Sequence, residues 1–254
     1  MKFVLFRHGH SLANQESRIV SSLENGTRTD GGPEGTGFGL SSKGRLEVAE
    51  TATTLADHII TTSTQTQNRA RVRILTSPFQ RTLNTASIIK SQFRTSFSPL
   101  QDTITLELGL TITQDLRERF FGEFEMRTPS EDLYNQVWAA DAQNPFHELF
   151  GVESVVDVTR RVTGVIRSQE ERGEEQQEQQ EQQGQQEQQE QQEGEEVWVV
   201  LVSHGDSLQI LQTAMRGWSG DRHRQLDHLE TANWRVVEWC PELQAAHQSH
   251  SSRS

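Results

Sequence analysis

Two histidines, each at the end of an apolar run and each followed by glycine, are the residues of this chain best suited to chemistry. His8 comes two residues after the run Lys2–Phe6, beside Arg7, and His204 comes two residues after the run Val197–Val202. Imidazole can attack phosphorus as a nucleophile, and guanidinium binds phosphate oxygens strongly. Two strands that end in this way can bring both rings into one pocket, so the pattern predicts a site that grips and attacks a phosphate.

A phosphomonoester hydrolase that works without a metal needs other groups besides a nucleophile. Cations must hold the phosphoryl oxygens, and an acid must protonate the leaving alkoxide. Arg7 and Arg81 can supply guanidinium forks, and His204 adds a donor when it is protonated. Glu118 is the candidate acid, because a pocket of low polarity would raise its pKa. Other carboxylates of the same stretch remain alternatives: Asp115, Glu123 and Glu125.

The elements that would position these residues alternate between strands and helices. The predicted strands are Lys2–Phe6, Val72–Leu75, Thr103–Leu106, Val197–Val202 and Trp234–Trp239. Helices are predicted after Ser41 or Ser42, Ser77-Pro78, Ser130 and Ser154, and from about Asp206. This order favours an α/β fold with three α/β/α layers and a mostly parallel central sheet. Ligands of such sheets bind at the carboxyl ends of the strands, where His8 and His204 both fall.

Local patterns make the expectations for individual elements more specific. Ser77-Pro78 should cap the second helix, with proline at its first helical position. The first helix should bury a stripe at steps of three and four residues. The connection 24–39 is rich in glycine and is expected to be a loop that covers the pocket. The members of that stripe are Leu46, Ala49, Ala52, Ala56 and Ile59.

Five short blocks, in order along residues 1–240, resemble the signatures of the histidine phosphatase superfamily, in its phosphoglycerate mutase-like branch. No single block is specific, but five in sequence order are. The blocks are Arg7-His8-Gly9-His10-Ser11-x-x-Asn14, Leu40-Ser41-Ser42-Lys43-Gly44, Thr76-Ser77-Pro78-Phe79-Gln80-Arg81-Thr82, Leu116-Arg117-Glu118-Arg119-Phe120-Phe121-Gly122 and Ser203-His204-Gly205-Asp206.

The resemblance implies a role for each matching residue. His8 would become a phosphohistidine, and Glu118 would donate a proton and then accept one. Asn14 would lie near the phosphate, and Arg119 would lie on the substrate side. The phosphoryl group would be held by Arg7, Arg81 and His204. The family implies no metal and no organic cofactor.

The chain also departs from the mutases that the fourth block resembles. They carry tyrosine where Phe121 stands, and a lysine and two arginines downstream that hold a bisphosphorylated ligand. Here Glu123, Glu125 and Met126 follow, with Arg127 the nearby cation. The prediction is therefore a hydrolase of the histidine acid phosphatase type acting on a small phosphorylated metabolite. A phosphoglycerate mutase-type phosphotransferase is the alternative.

Other histidines and one aspartate are expected to have structural or surface positions and no role in the chemistry. His8-x-His10 could begin a zinc site, but no further ligand pair accompanies it, so His10 is expected to line the pocket mouth. Asp206 can cap the helix that follows His204. Surface positions are expected for His58, His147, His223, His228, His247 and His250.

Composition limits the class of protein. The 254 residues suit one domain over residues 1–240, interrupted by a Gln/Glu insertion at 169–196 and followed by a disordered tail at 241–254. The insertion carries 11 of the glutamates behind the net charge of −12.

No basic stripe suggests nucleic acid, and no long apolar stretch suggests a membrane. The single cysteine and the short first apolar run favour a cytoplasmic protein. The insertion could bind a protein partner. The alternative to an enzyme is a catalytically idle module that binds a phosphorylated ligand. The oligomeric state stays open.

Overall fold

The computed structural model describes residues 1–184 and 195–239. Within them, strands and helices alternate as expected. The strands are β1 (Lys2–Arg7), β2 (Arg69–Thr76), β3 (Ile104–Ile112), β4 (Glu195–Ser203) and β5 (Trp234–Val237). The α-helices are α1 (Leu12–Gln15), α2 (Leu23–Thr27), α3 (Ser42–Thr66), α4 (Gln80–Phe97), α5 (Glu131–Gln143), α6 (Val155–Gly184) and α7 (Gly205–Met215).

The described strands form one sheet in the order β3-β2-β4-β1-β5. β1, β2, β3 and β4 pair in parallel, and β5 joins the edge of β1 antiparallel. In the register of the central pair, Arg7 lies opposite Ser203. The strand ends before His8 and His204 are therefore direct neighbours. The predicted α/β fold with a mostly parallel sheet is confirmed.

Helices cover both faces of the sheet. α3 and α4 pack on one face, where their apolar side chains meet inward residues such as Val4 and Val200. α6 and α7 pack on the other face, against residues such as Leu5 and Leu201. β4 is buried on both faces from Trp198 onward, as a central strand must be in a three-layer sandwich.

A smaller apolar cluster lies outside the two main cores and forms a cap. It joins α5 to the segment around Phe121 and to the loop after α1. Tyr134 and Trp138 of α5 stack with their rings nearly parallel, 5.0 Å apart. The cap brings α5 close to the carboxyl ends of the strands. Its buried members are Ile19, Phe121, Phe124, Leu133, Val137 and Val152.

Three local expectations differ from the structure, one of them only in part. α4 begins at Gln80 with Phe79 as its N-cap, because the Ser77 hydroxyl is used elsewhere. In α3 the predicted stripe members Ala52, Ala56 and Ile59 are buried. Val48 and Leu55 complete the stripe in place of Leu46, which is 75% exposed, and Ala49, which is half-buried. The stripe follows the side of the helix that faces the sheet, which spacing alone does not identify.

The connection 24–39 also differs from the expectation. It begins within α2, which Ser22 caps, and Gly26 packs directly against the ring of Phe79. Gly31, Gly32 and Gly35 form exposed turns around the bridge between Gly31 and Thr36, whereas Gly37 and Gly39 are buried. Residues 11–21, and not 24–39, line the cavity described below.

α6 extends into the Gln/Glu insertion, because its helix ends only at Gly184. The side chains of α6 whose burial is described are those of residues 155–175, and the buried ones include Val158, Val162 and Ile166. Residues 185–194 of the insertion and the tail 241–254 lie outside the described residues. No helix in the described ranges is both long enough and apolar enough to cross a membrane.

Candidate active site

Three neighbouring strand ends place the predicted imidazoles and one guanidinium together. His8 follows β1, His204 follows β4, and Arg81 lies in the first turn of α4 after β2. The ring centroids of His8 and His204 are 5.2 Å apart. Arg81 Nε donates to His8 Nε2 at 3.1 Å and to His204 Nδ1 at 3.2 Å. All three side chains are at least 96% buried.

The backbone holds His8 in the tautomer that a nucleophile needs. His8 Nδ1 lies 2.8 Å from the carbonyl oxygen of Gly9. A carbonyl can only accept, so Nδ1 carries the proton and Nε2 keeps a lone pair. Burial lowers the pKa of His8 well below its usual value, and the charges of Arg81 and Arg7 lower it further. The ring is therefore neutral, with Nε2 directed toward the other site residues.

His204 has the complementary arrangement. Its Nδ1 accepts from Arg81, so Nε2 carries the proton and donates to the hydroxyl of Ser77 at 2.8 Å. Burial lowers the pKa of His204, and Arg81 and His8 add to that effect. An anion placed beside Nδ1 would offset these terms and favour protonation there. Ser77, expected to be a helix cap, instead orients this ring.

Two arginines each have a buried guanidinium N–H group without an acceptor among the described residues. Arg81 Nη2 donates to the carbonyl of Val20, but its Nη1 has no partner. Arg7 Nη1 donates to His228 Nε2 at 2.5 Å and to Leu229 O at 2.9 Å, but its Nε has no partner. Burial lowers the pKa of Arg81 to about 10, which leaves it charged near neutral pH. Buried donors without acceptors are costly, and an oxyanion between these groups would supply acceptors.

A cavity of about 100 Å³ lies between these side chains. Arg7, His8, Arg81 and Glu118 line it. Asn14 also lines it, and its Oδ1 accepts from the backbone and hydroxyl of Ser11 in a capping box of α1. The predicted site residues other than Arg119 and His204 thus surround one cavity, and His204 contacts two of them.

Glu118 occupies the wall between this cavity and a second one of about 230 Å³. Its Oε1 accepts from the backbone N–H of Arg119 at 2.9 Å and of Ser207 at 3.2 Å. Burial raises the pKa of Glu118, and the charge of Asp206 raises it further. A carboxyl group with a raised pKa beside a phosphate-sized cavity has the properties of a proton donor.

The alternative carboxylates do not share these properties. Asp115 and Glu123 are exposed and line neither cavity. Burial alone would raise the pKa of Glu125, but hydrogen bonds from Ser21, Asn25 and Ser22 outweigh it and hold that pKa below its usual value. Glu125 is thus an anchor for the loop after α1, and Glu118 is the acid candidate that the geometry favours.

Part of the lining of the second cavity comes from residues that the sequence did not single out as site residues. Tyr134 and Trp138 come from α5, and Arg224 stacks on Trp138 with its Cζ 3.7 Å from the ring centroid. Gly205 lets the walls approach each other, because a Cβ there would lie 3.2 Å from both Arg7 Cζ and His228 Cε1. The lining residues from α5 and from residues 220–229 have no local signal, because only the fold brings them to this cavity. The remaining lining residues lie in recognised blocks: Arg7, Glu118, Phe121, Gly205 and Asp206.

Comparison with known proteins identifies the family. The model of the histidine phosphatase superfamily (branch 1) matches residues 3–249. The chain belongs to the histidine phosphatase superfamily. A search of curated protein sequences found no significant match.

Solved structures share the fold of this superfamily member. A mycobacterial glucosyl-3-phosphoglycerate phosphatase aligns with a TM-score of 0.60 and 20% identity, over 93% of this chain and 89% of that one. The alpha-ribazole phosphatase from Shigella flexneri aligns with a TM-score of 0.56 and 20% identity, over 94% and 90% of the two chains. At this identity the likeness establishes the architecture alone.

Arg119 does not take the position that the superfamily resemblance implied for it. It is fully buried, lines neither cavity, and donates twice to Asp141 at 2.7 Å. It also donates to Asp206 at 3.3 Å and to the carbonyl of Glu153 at 2.7 Å. Its guanidinium is occupied by these partners, so this geometry does not support the substrate-side role, which stays a prediction.

Several histidine predictions are wrong. His10 lines neither cavity, because its Nδ1 bonds the hydroxyl of Ser41, the N-cap of α3. His147 and His223 are buried beside Asp141. His58 and His228 are exposed as expected, and His228 also contacts Arg7 in the second cavity. His247 and His250 lie outside the described residues.

Asp206 is not the cap of α7 either. The N-cap is His204, and the Asp206 carboxylate turns inward to Arg119 and Arg224. Burial alone would raise the pKa of Asp206, but Arg119 above all holds it below its usual value. Across the described ranges, no group of three or more histidine, cysteine or acidic side chains is arranged to hold a metal ion.

Proposed function

We propose that this member of the superfamily is a metal-independent phosphomonoester hydrolase that works through a phosphohistidine on His8. The proposal includes the acid-phosphatase type of activity and a small phosphorylated metabolite as substrate. The observation that carries it is the lone pair of His8 Nε2, which faces the buried guanidinium of Arg81 in a cavity of phosphate size.

The reaction has two steps. In the first, His8 Nε2 forms a bond to phosphorus while the ester P–O bond breaks, its electrons go to the leaving oxygen, and Glu118 gives that oxygen a proton. In the second, water attacks phosphorus, the Glu118 carboxylate takes a proton from it, and the P–N electrons return to His8. Arg7, Arg81 and protonated His204 hold the phosphoryl oxygens in both steps. Because Glu118 borders both cavities, the leaving group would lie in the larger one.

Replacing His8 with alanine tests the nucleophile. We expect His8→Ala to abolish hydrolysis of p-nitrophenyl phosphate, because no other described imidazole lines the smaller cavity with a free lone pair. Acid-labile phosphate should be trapped on the quenched wild type and be missing from the variant. His58→Ala is the control, since His58 is exposed and lines neither cavity. Full activity in His8→Ala would refute the assignment.

Incubation with phosphoglycerates separates hydrolysis from the mutase alternative. Free phosphate supports the hydrolase, and isomerised phosphoglycerate supports the phosphotransferase. Binding of phosphate without turnover of any ester would favour the idle binding module. A release screen over sugar phosphates, phosphoglycerates, nucleotides and phosphopeptides would then define the substrate.

A further inference from the structure

Ser207 is the residue that links the candidate acid to the helix beginning at His204. It is fully buried in the first turn of α7, three residues after His204. Its backbone N–H donates to Glu118 Oε1 at 3.2 Å, and its hydroxyl lies 3.3 Å from the same oxygen. This N–H is one of those that a helix leaves unpaired at its N-terminus, so the Glu118 carboxyl group serves as an external cap.

The contacts on Glu118 distinguish its two oxygens. Oε1 faces the backbone N–H groups of Ser207 and Arg119, which can only donate. The proton of the neutral acid must therefore lie on Oε2. Among the described residues, no hydrogen bond reaches Oε2, and Glu118 borders both cavities. Oε2 is thus the oxygen of Glu118 that can donate its proton to the leaving ester oxygen.

The Ser207 hydroxyl binds the backbone of Arg117, the residue directly before Glu118. Its Oγ donates to the carbonyl of Arg117 at 2.8 Å, which is its shortest hydrogen bond. Arg161 Nη2 lies 3.4 Å from the same hydroxyl as a donor. The hydroxyl therefore ties the residue just before Glu118 to the first turn of α7. That turn begins at His204, so one side chain couples the acid to the phosphate-binding imidazole.

We propose that Ser207 is the positioning residue of the acid, which holds Glu118 so that Oε2 presents its proton to the leaving group. The inference rests on the proposed function, in which Glu118 protonates the ester oxygen. Ser207 does not touch the phosphoryl group in this arrangement. Its effect must therefore appear only where protonation of the leaving group limits the rate.

Ser207→Ala removes the hydroxyl with little other disturbance. The carbonyl of Arg117 still accepts from Arg161 Nη1 at 2.9 Å, so it does not become an unpaired buried group. The backbone N–H of residue 207 also remains in place for Oε1. We therefore expect the variant to fold, which a thermal melt would verify. Ser207→Cys, which has similar size and a weaker donor, should behave as an intermediate.

The test measures kcat/KM for phosphomonoesters whose leaving groups range from p-nitrophenol to glycerol. This constant covers the steps up to alcohol release, and a good leaving group needs no acid. We expect Ser207→Ala to change the value for p-nitrophenyl phosphate by less than about twofold and to lower that for glycerol phosphate by about tenfold, a fraction of a full general-acid contribution.

Two reference variants make the outcome decisive. Ser203→Ala is the matched control, because Ser203 is also fully buried and donates to the neighbouring carbonyl of Leu116 at 2.7 Å without contacting Glu118. It should change all substrates by one common factor. Glu118→Gln should lose activity more steeply than Ser207→Ala as the leaving group becomes poorer.

Each result has one reading. A loss in Ser207→Ala that grows with leaving-group pKa supports the proposal. A uniform loss like that of Ser203→Ala overturns the role of Ser207 while Glu118 stands. A Glu118→Gln variant without leaving-group dependence overturns the acid assignment of the proposed function, and the role of Ser207 with it.

Discussion

At the scale of single residues, His8 and Glu118 are shifted in opposite directions from their ordinary pKa values. Burial and two nearby arginines lower the pKa of His8, while burial and the charge of Asp206 raise the pKa of Glu118. The lowered pKa extends the pH range in which His8 keeps its lone pair, and the raised pKa extends the range in which Glu118 keeps its proton. The proposed chemistry requires both states at once.

The shifts predict the pH profile. Activity should persist below pH 6.5, because His8 is lost as a nucleophile only when the pH falls through its lowered pKa. Activity should decline as the pH rises through the raised pKa of Glu118. The measurement is kcat/KM against pH for glycerol phosphate.

The matched substrate for this profile is p-nitrophenyl phosphate. Its leaving group needs little protonation, so the alkaline decline assigned to Glu118 should be shallower, while ionisation of the phosphate affects both substrates alike. An alkaline limb that is equally steep for both esters would contradict the role of Glu118. An acid limb centred at or above pH 6.5 would contradict the neutral, buried state of His8.

At the scale of elements, the packing of α3 against the loop after β1 fixes the position of His8. Ser41 caps α3, and its N–H donates to the carbonyl of His10 at 3.0 Å. A Cβ on Gly44 would lie 2.0 Å from that carbonyl oxygen. The family-like block around Gly44 therefore has a steric reason: the helix start must touch the backbone two residues after His8.

Gly44→Ala should lower both stability and activity. Overpacking of this kind costs about 1–3 kcal/mol and would displace the loop that carries His8. Urea unfolding and kcat/KM for p-nitrophenyl phosphate measure the two effects. Gly164→Ala in α6 is the control, because nothing lies within 4 Å of its Cβ and alanine should stabilise an exposed helix by about 1 kcal/mol. Equal stability of the two variants would contradict the steric argument.

At the scale of the whole molecule, a buried ionic network joins the cap to the sheet domain. The carboxylate of Asp141 in α5 accepts one hydrogen bond from each of the two Nη atoms of Arg119. His147 Nε2 lies 2.7 Å from the same carboxylate. Arg119 also reaches Asp206 in α7, which pairs with Arg224. The network fixes α5, and with it the wall of the second cavity, relative to the strand ends.

Arg119→Met should therefore destabilise the fold. The variant leaves the fully buried carboxylate of Asp141 without its bidentate partner, which costs about 3–5 kcal/mol in comparable cases. Arg160→Met is the control, because the Arg160 side chain is 72% exposed and its pair with Asp157 should contribute less than about 1 kcal/mol. Unfolding in urea measures both. A raised KM with unchanged stability in Arg119→Met would instead restore a substrate-side role.

The sequence alone determined the architecture and the residues that carry the proposed reaction. Alternating strands and helices place strand ends along one edge of a parallel sheet, so His8, His204 and Arg81 could be expected to converge there. These residues lie one or two positions beyond a strand or in the first turn of a helix, and local pattern locates such positions well.

Only the tertiary structure decided which polar groups face the cavities and which form hydrogen bonds and ion pairs inside the protein. Arg119 directly follows Glu118, yet one points into the core and the other lines the pocket. Tyr134 and Arg224 reach the site from distant segments, and Ser207, three residues after His204, reaches Glu118 through the packing of α7. The partners of a side chain depend on contacts across the whole fold, and a one-dimensional pattern does not contain those contacts.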